Sequence, residues 1–456
     1  MPTLDLEFNQ RTVLHLAPFF EELKSQARQL ASQAEASERG YFSTREEDAT
    51  SGLLVSYWHA RNALFDLVTS LRRAPELPPE EHARAFVIGF SAALLLVDAA
   101  RFLRETVESR PVVKRKLNEP SPSFGIPAGV YDTIQKSLLS TRHGWHLYHA
   151  VQYFEQHEAS LNARAAGADM EPLLSVIHRL RHRLDVPLRQ FARAKLKTRG
   201  LRLGSHLKHT LFGRAMYGLQ KLAGTLVADK YLRLGHQPAL PPGIAKEVQS
   251  LLRPGDVLVV RKEYALSNYF LPGYWPHAAL FLGSANALQQ LEGTEQETLK
   301  SHLASLQERT SGGGIVMESM RDGVHLRPLS SPFGSDSIVV MRPQLAPSDV
   351  TEALTRSLSH HGKPYDFNFD FSRSDRLVCT EVVYRAFDGV GAMDLPLVQR
   401  VGRPSLSGDD LIGMAVMGQS FDAVAVYAPT FSSRIASGAE AQSLINQARG
   451  TQPPPQ

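Results

Sequence analysis

The chain has 456 residues, of which 43% are hydrophobic and 21% charged, with a net charge of +4 and a pI near 9.0. This length suffices for two or three domains, and the composition is that of a soluble globular protein, which excludes an intrinsically disordered chain. The mild and diffuse basic charge gives no reason to expect a nucleic-acid partner.

The N-terminus shows no cationic start, apolar core or small-residue cleavage site of a signal peptide, which predicts a cytoplasmic protein. The longest apolar run, Ala85 to Ala100, contains Asp98 and is shorter than the roughly 20 residues that span a bilayer. A buried core helix is therefore favoured over a membrane segment.

Apolar residues recur at helical spacing through the first half of the chain. Ser43 to Glu46 matches a capping box, and the Pro-, Ser- and Lys-rich stretch from Pro111 to Pro127 predicts a loop. We predict an all-helical bundle domain over residues 1–240. Its predicted helices are Arg11 to Glu38, Ser43 to Arg73, Glu80 to Glu108, Gly129 to Leu161, Glu171 to Lys197 and Leu211 to Leu234.

The stretch from Arg179 to Arg202 is densely basic, with Leu, Val and Phe between the charges. Such a helix can lie on an anionic membrane surface or meet an acidic partner, and the alternative is a solvated charged face. The sequence therefore raises peripheral membrane contact as one hypothesis.

After a Pro-rich linker at His236 to Gly243, the periodicity changes to short strands. The predicted strands are Asp256 to Lys262, His277 to Leu282, Ile315 to Met320, Val324 to Leu329, Ser337 to Arg342 and Phe421 to Tyr427. A polar insertion at Ser284 to Gly314 and a helix at Ser348 to His361 complete an α+β domain over residues 241–431. Residues 432–456 are predicted to form a disordered tail.

Cys379 is the only cysteine, which excludes an internal disulfide and a Cys-rich zinc site. The sequence contains no HExxH motif, and we expect neither a metal nor a cofactor. Apolar residues at helical spacing from Val378 place Cys379 in the first turn of a helix, where the dipole and free N–H groups favour a thiolate. Nucleophile and small buried hydrophobe are the two interpretations left open.

A cysteine nucleophile needs a base, and His277 begins an apolar strand, from which a polar side chain can point into a cleft. The segments PGDVLVV…HAALFLG, GIVMES…GVHLRPL and GKPYDF…CTEVVYRAF resemble the YiiX/YebB-like, circularly permuted NlpC/P60 group of papain-like cysteine hydrolases. The resemblance covers roughly residues 250–430. The order His277 before Cys379 is the permuted one.

The resemblance implies a papain-like domain with an antiparallel sheet packed on helices, following the helical N-terminal domain. It makes Cys379 the nucleophile, His277 the general base and Glu318 the residue that orients the imidazole. Tyr365 matches a tyrosine near the cleft that positions substrate or the oxyanion, while Asp366 is expected to cap or brace its loop. The insertion from Ser284 to Gly314 lengthens the connection between the His277 strand and the Glu318 strand, and the rival imidazoles are His302, His325, His360 and His361.

The implied activity is cysteine hydrolysis of an amide or ester bond through a thioester, on acyl substrates that include lipid-linked ones. One alternative is an acyltransferase like the lecithin:retinol acyltransferase-like proteins, in which an amine or lipid hydroxyl replaces water. The other is a helical binding or scaffold protein that carries an inactive papain-like domain.

Overall fold

The structure is a computed structural model whose described parts fall in two compact units. Described are residues 5–33, 35–71, 77–121, 126–138, 141–165, 170–184, 215–216, 238–262, 274–284, 314–400 and 402–450. One unit comprises Met1–Ser121 with Ile126–Tyr231, and the other Pro122–Gly125 with Leu232–Gln456. The first is helical where described and the second contains a sheet, which is the α+β class that the sequence predicts.

The regular elements described in the first unit are helices. At Ser43 the predicted capping box is present: its hydroxyl accepts from the Glu46 N–H, and its own N–H donates to the Glu46 carboxylate at 2.8 Å. The helices are α1 (Leu6–Gln33), α2 (Ala36–Arg39), α3 (Thr44–Ser70), α4 (His82–Val107), α5 (Pro111–Lys116), α6 (Val130–Leu138), α7 (Thr141–Ala165) and α8 (Glu171–Leu180).

Two predictions in this unit need correction. The stretch predicted as a loop from Pro111 begins with α5, because proline is well suited to the first turn of a helix. In place of the predicted helix from Gly129 to Leu161, the structure describes two helices, Val130–Leu138 and Thr141–Ala165, and residues 139–140 between them lie outside the described residues.

The predicted basic helix is described only in its first part. After α8, a 3-10 turn runs over Arg181–Leu184, and residues 185–202 lie outside the described residues. The predicted helix at 211–234 also lies outside them, except for residues 215–216, which are helical.

Helix α4 forms the core of the first unit. By length and composition it could cross a membrane, but 78% of its most apolar stretch is buried inside the protein, and core helices pass the same test. Its one central carboxylate, Asp98, is compensated by Lys24 Nζ at 2.7 Å and by Arg183 Nε at 2.8 Å. These contacts support the core-helix interpretation.

All six predicted strands are present and form one antiparallel sheet in the order β4-β3-β2-β1-β5-β8. A separate hairpin, β6 with β7, was not predicted. The strands are β1 (Val257–Arg261), β2 (His277–Gly283), β3 (Ile315–Met320), β4 (Gly323–Pro328), β5 (Ser337–Pro343), β6 (Val398–Arg400), β7 (Arg403–Ser405) and β8 (Phe421–Tyr427).

Alternate residues of the central strands enter two cores, one on each face of the sheet. Val257 and Leu280 belong to the larger core, which contains the Cys379 helix, whereas Leu258 and Phe281 belong to the smaller one. The helices of this unit are α9 (Pro242–Leu251), α10 (Ser330–Phe333), α11 (Pro347–Leu358), α12 (Cys379–Phe387), α13 (Gly408–Val416) and α14 (Gly438–Gly450).

The prediction of a disordered tail over residues 432–456 is wrong for residues 438–450. Residues 438–450 form α14, whose buried residues Ala441, Leu444, Ile445 and Ala448 recur at i, i+3, i+4 and i+7 and enter the larger core. Helix α9 likewise begins inside the predicted linker, with proline in its first turn. The insertion at 285–313 lies outside the described residues.

Candidate active site

Cys379 is the first residue of α12, as the sequence predicts. It is 3% exposed, and α12 packs against β2 and β3. The preceding residue, Val378, has extended backbone and donates its N–H to Glu381 Oε2 at 3.4 Å. The thiol therefore stands at the positive end of a helix dipole, where a thiolate is favoured.

His277 is placed by the turn that leads into β2. The backbone N–H groups of Tyr274 and Trp275 donate to the two carboxylate oxygens of Asp409 at 3.3 and 3.2 Å. Gly408 allows the close approach of α13 to this turn, since a Cβ there would lie 2.1 Å from the Trp275 carbonyl oxygen. The turn that precedes His277 is thus held in place by residues of α13.

Glu318 lies on the neighbouring strand, on the same face of the sheet as His277. Leu280 is opposite Met317, so Glu318 is opposite Ala279, two residues along β2 from His277. His277 Nε2 lies 3.3 Å from Glu318 Oε1, with the His277 side chain 23% exposed and that of Glu318 1% exposed. Because Nε2 faces this carboxylate, Nδ1 is the ring nitrogen left for the thiol.

The thiol and imidazole shift each other's pKa toward an ion pair. Burial lowers the pKa of His277, but the charge of Cys379 and hydrogen bonds to Cys379 and Glu318 outweigh burial and raise it to about 9. Burial raises the pKa of Cys379, but the charge and hydrogen bond of His277 and the N–H groups of Ala278 and Thr380 lower it overall. A thiolate beside an imidazolium is the form that this arrangement favours.

Two residues that the sequence did not indicate hold Glu318. The Ser331 hydroxyl donates to Glu318 Oε2 at 2.6 Å, and Arg327 Nε lies 3.6 Å from the same oxygen. Although burial raises the pKa of Glu318, the bond to His277 and these neighbours bring it below its usual value. The strand pattern could have indicated Arg327. This residue of β4 lies opposite Val316 of β3, and Val316 is on the same face of the sheet as Glu318.

Tyr365 lies beside the segment that leads into the Cys379 helix. It forms an isolated parallel bridge with Leu377, two residues before Cys379. Burial raises the pKa of its phenol well above the ordinary value, and the negative charges of Cys379 and Asp366 raise it further. Tyr365 therefore keeps its proton and can donate a hydrogen bond near the thiol.

Asp366 braces the following loop, as predicted. Its two carboxylate oxygens accept the backbone N–H groups of Asn368 at 2.9 Å and Asp370 at 2.7 Å. Between them, Phe369 adopts a left-handed φ of 53°, which is unfavourable for a bulky residue. Burial raises the pKa of Asp366 to about 6, although these hydrogen bonds act in the opposite direction.

The rival imidazoles that the structure describes have partners elsewhere. His325 Nε2 lies 3.0 Å from the Asp322 carbonyl oxygen, and His360 Nδ1 lies 2.8 Å from Lys363 Nζ. His302 lies outside the described residues. The imidazole that bonds the thiol is His277. Within the described ranges, no group of three or more His, Cys, Asp or Glu side chains could hold a metal ion.

Comparison with known proteins agrees with the family resemblance. Residues 251–431 match the family described as permuted papain-like amidase enzymes, YaeF/YiiX, C92. The search of curated proteins and the search of solved structures each return no match. The matched segment contains all four residues of the predicted site, and its family name denotes hydrolysis of amide bonds.

Proposed function

Because residues 251–431 belong to the permuted papain-like amidase family, we propose that this domain is a cysteine amidase whose nucleophile is Cys379 and whose base is His277. The observation that carries the proposal is the series Cys379, His277 and Glu318, in which the His277 imidazole lies between the buried thiol and the buried carboxylate and the thiol and imidazole shift each other's pKa toward the ion pair. A structural cysteine in an apolar core has its pKa raised instead.

In the proposed reaction, the Cys379 sulfur attacks the carbonyl carbon of the amide, and the carbonyl electron pair moves to oxygen. The backbone N–H of Cys379 and the Tyr365 hydroxyl are the proposed donors to this oxyanion. His277 then gives its proton to the amine nitrogen as the C–N bond breaks, which leaves a thioester and a free amine.

Deacylation reverses the roles. His277 takes a proton from water, the hydroxide attacks the thioester carbonyl, and the C–S bond breaks to release a carboxylic acid. Throughout, Glu318 accepts the Nε2–H and so holds one tautomer and one ring orientation. An amine or lipid hydroxyl in place of water would make the same thioester an acyltransferase intermediate.

The proposed substrates are amides of apolar acyl groups, lipid-linked ones included. Tyr365 is supported by aromatic neighbours, with its ring centroid 4.8 Å from that of Phe367 and 6.1 Å from that of Phe369. Phe367 is buried, whereas Tyr365 and Phe369 are half-buried, so these two rings are the apolar surface that we propose for an acyl chain.

Intact-protein mass spectrometry after incubation with a panel of N-acyl amides and acyl esters tests the proposal. We expect an acyl adduct on the wild type that hydroxylamine removes as a hydroxamate, and no adduct on Cys379→Ala. With an amine added to the reaction, release of the free acid indicates hydrolysis, and formation of the acylated amine indicates transfer. Amide cleavage that continues undiminished in Cys379→Ala would refute the proposal.

Cytoplasmic location and contact with a membrane surface remain predictions. The described arginines of the basic stretch bind acidic residues of their own unit: Arg179 lies 3.3 Å from Glu21, and Arg183 bonds Glu105 at 3.0 Å. Membrane attraction would therefore rest on the basic residues beyond Leu184. Co-sedimentation with anionic vesicles measures it, and no binding at low salt would end the hypothesis.

A further inference from the structure

The loop between Tyr365 and Cys379 contains one residue with a strained backbone. Phe369 adopts a left-handed φ of 53°, a conformation that is costly for a bulky side chain. Such a residue persists only where the surrounding structure holds it, and strained residues cluster at active sites and ligand contacts. Phe369 is therefore a candidate for a functional role.

Burial does not account for the strain. The other two phenylalanines of the loop, Phe367 and Phe371, are 3% and 5% exposed, whereas Phe369 is half-buried. The Phe369 ring centroid lies 6.1 Å from that of Tyr365, in an edge-on arrangement. Tyr365 is in turn close enough to the thiol for the charge of Cys379 to raise the pKa of its phenol. The strained backbone thus places an incompletely buried ring near the nucleophile.

The Asp366 carboxylate holds the loop before and after Phe369. Its two oxygens accept the N–H group of Asn368 at 2.9 Å and that of Asp370 at 2.7 Å, and these residues directly precede and follow Phe369. The Phe369 N–H donates to the Asp366 carbonyl oxygen at 3.4 Å. Asp366 is fully buried, so water does not compete for these bonds.

The β6–β7 hairpin holds the same loop through Arg403. Its Nη1 donates to the Asn368 carbonyl oxygen at 2.6 Å. Next to it in the hairpin, the Pro404 carbonyl oxygen accepts the Phe371 N–H at 3.2 Å. The conformation of Phe369 is therefore fixed by bonds to the residues around it and not by its own side chain.

We propose that Asp366 and Arg403 are positioning residues for the substrate: they hold Phe369 in its left-handed conformation, so that its ring contacts the acyl chain of the proposed amide. The inference rests on the proposed function, because it concerns the acyl group of that same substrate. Asp366 and Arg403 act only through the position of the Phe369 ring. Selectivity among acyl chains should therefore depend on two charged residues that do not touch the chain.

Cleavage of acetyl and decanoyl p-nitroanilides tests the proposal. The measured quantity is the ratio of kcat/KM for the decanoyl amide to kcat/KM for the acetyl amide, and a partly unfolded variant lowers both rates equally. We expect the wild type to prefer the decanoyl amide, and Phe369→Ala, Asp366→Asn and Arg403→Ala each to lower the ratio by about five- to tenfold. The loss should appear as a higher KM for the decanoyl amide, because the chain is bound alike before and in the transition state.

Two comparisons separate positioning from a general structural role. Arg400→Ala is the matched control for Arg403→Ala, because Arg400 belongs to the same hairpin but its Nη2 donates to the two oxygens of Asp410, at 2.9 and 2.8 Å. It should keep the wild-type ratio. In a Phe369→Ala background, Asp366→Asn should lower the ratio no further, because the ring through which it acts is already absent.

The proposal is overturned if Asp366→Asn and Arg403→Ala keep the wild-type ratio, or if Asp366→Asn lowers the ratio as much without the Phe369 ring as with it. A wild type that cleaves both amides without preference for the decanoyl chain also overturns it, and leaves the proposed amidase function intact. If the wild type forms no acyl adduct with any amide, the proposed function fails and this inference fails with it.

Discussion

Replacement of Glu318 by glutamine tests how the imidazole is held. The side chain keeps its size, but the charge 3.3 Å from His277 Nε2 is lost, and Arg327, 3.6 Å from the carboxylate, keeps only Asp322 as a negative neighbour. A hydrogen bond to a charged group contributes about 1.5–3 kcal/mol, and one pKa unit corresponds to about 1.4 kcal/mol. The pKa of His277, about 9 in the wild type, should therefore fall by about one to two units in Glu318→Gln.

Nuclear magnetic resonance of the imidazole groups measures this shift directly. The chain has 17 histidines, so the His277 signal is assigned by its loss in His277→Ala. Activity should fall as well, because loss of the orienting carboxylate from a Ser-His-Asp triad lowers kcat by about 10⁴-fold. An unchanged His277 midpoint in folded Glu318→Gln would show that the carboxylate does not stabilise the imidazolium.

Three more predictions concern the supports of the site and the tail. Ser331→Ala removes a 2.6 Å bond to the Glu318 carboxylate and should lower the rate of amide cleavage about tenfold, with the melting temperature nearly unchanged. Gly408→Ala places a methyl group against a backbone carbonyl and should reduce the free energy of unfolding by about 1–3 kcal/mol in denaturant titrations. Ile445→Ala opens a cavity in the core beneath α14 and should cost about 2–4 kcal/mol by the same measurement.

The Gly408→Ala prediction has a matched control variant, and the other two predictions each have an outcome that would contradict them. Gly243→Ala is the match for Gly408→Ala, because a Cβ at residue 243 meets nothing within 4 Å, and stability should be unchanged or slightly higher. A full wild-type rate in Ser331→Ala would mean that the hydroxyl does not position the carboxylate. Full stability of Ile445→Ala would mean that α14 does not pack on the core.

The strands and the nucleophile's helix were predictable because their patterns are local. β1 and β3 are apolar runs bounded by turn residues, and Cys379 is followed by apolar residues at helical spacing. α14 carries the same kind of signal at Ala441 to Ala448, but its Gly- and Gln-rich surroundings resemble a disordered tail. The composition of this segment favours disorder, whereas its apolar periodicity favours a helix. Packing of the apolar face on the core stabilises the helix.

The supports of the site were not predictable because they are distant in sequence. Asp409 holds the turn before His277 from more than 130 residues away, and Ser331 reaches Glu318 from another element. Neither residue carries a local signal, since its role arises only when the sheet and helices assemble. The family resemblance supplied Glu318 itself, which periodicity alone would leave as a polar residue in a strand.

The most direct test of the central claim is the pH dependence of Cys379 alkylation by iodoacetamide in the wild type and in His277→Ala. The protein has one cysteine, so each alkylation by iodoacetamide at a thiol reports on Cys379. We predict a reactive thiolate in the wild type with an apparent pKa below the roughly 8.5 of a free thiol, lost in His277→Ala. Titration like a free thiol in both proteins, with normal reactivity after unfolding in urea, would contradict the ion pair.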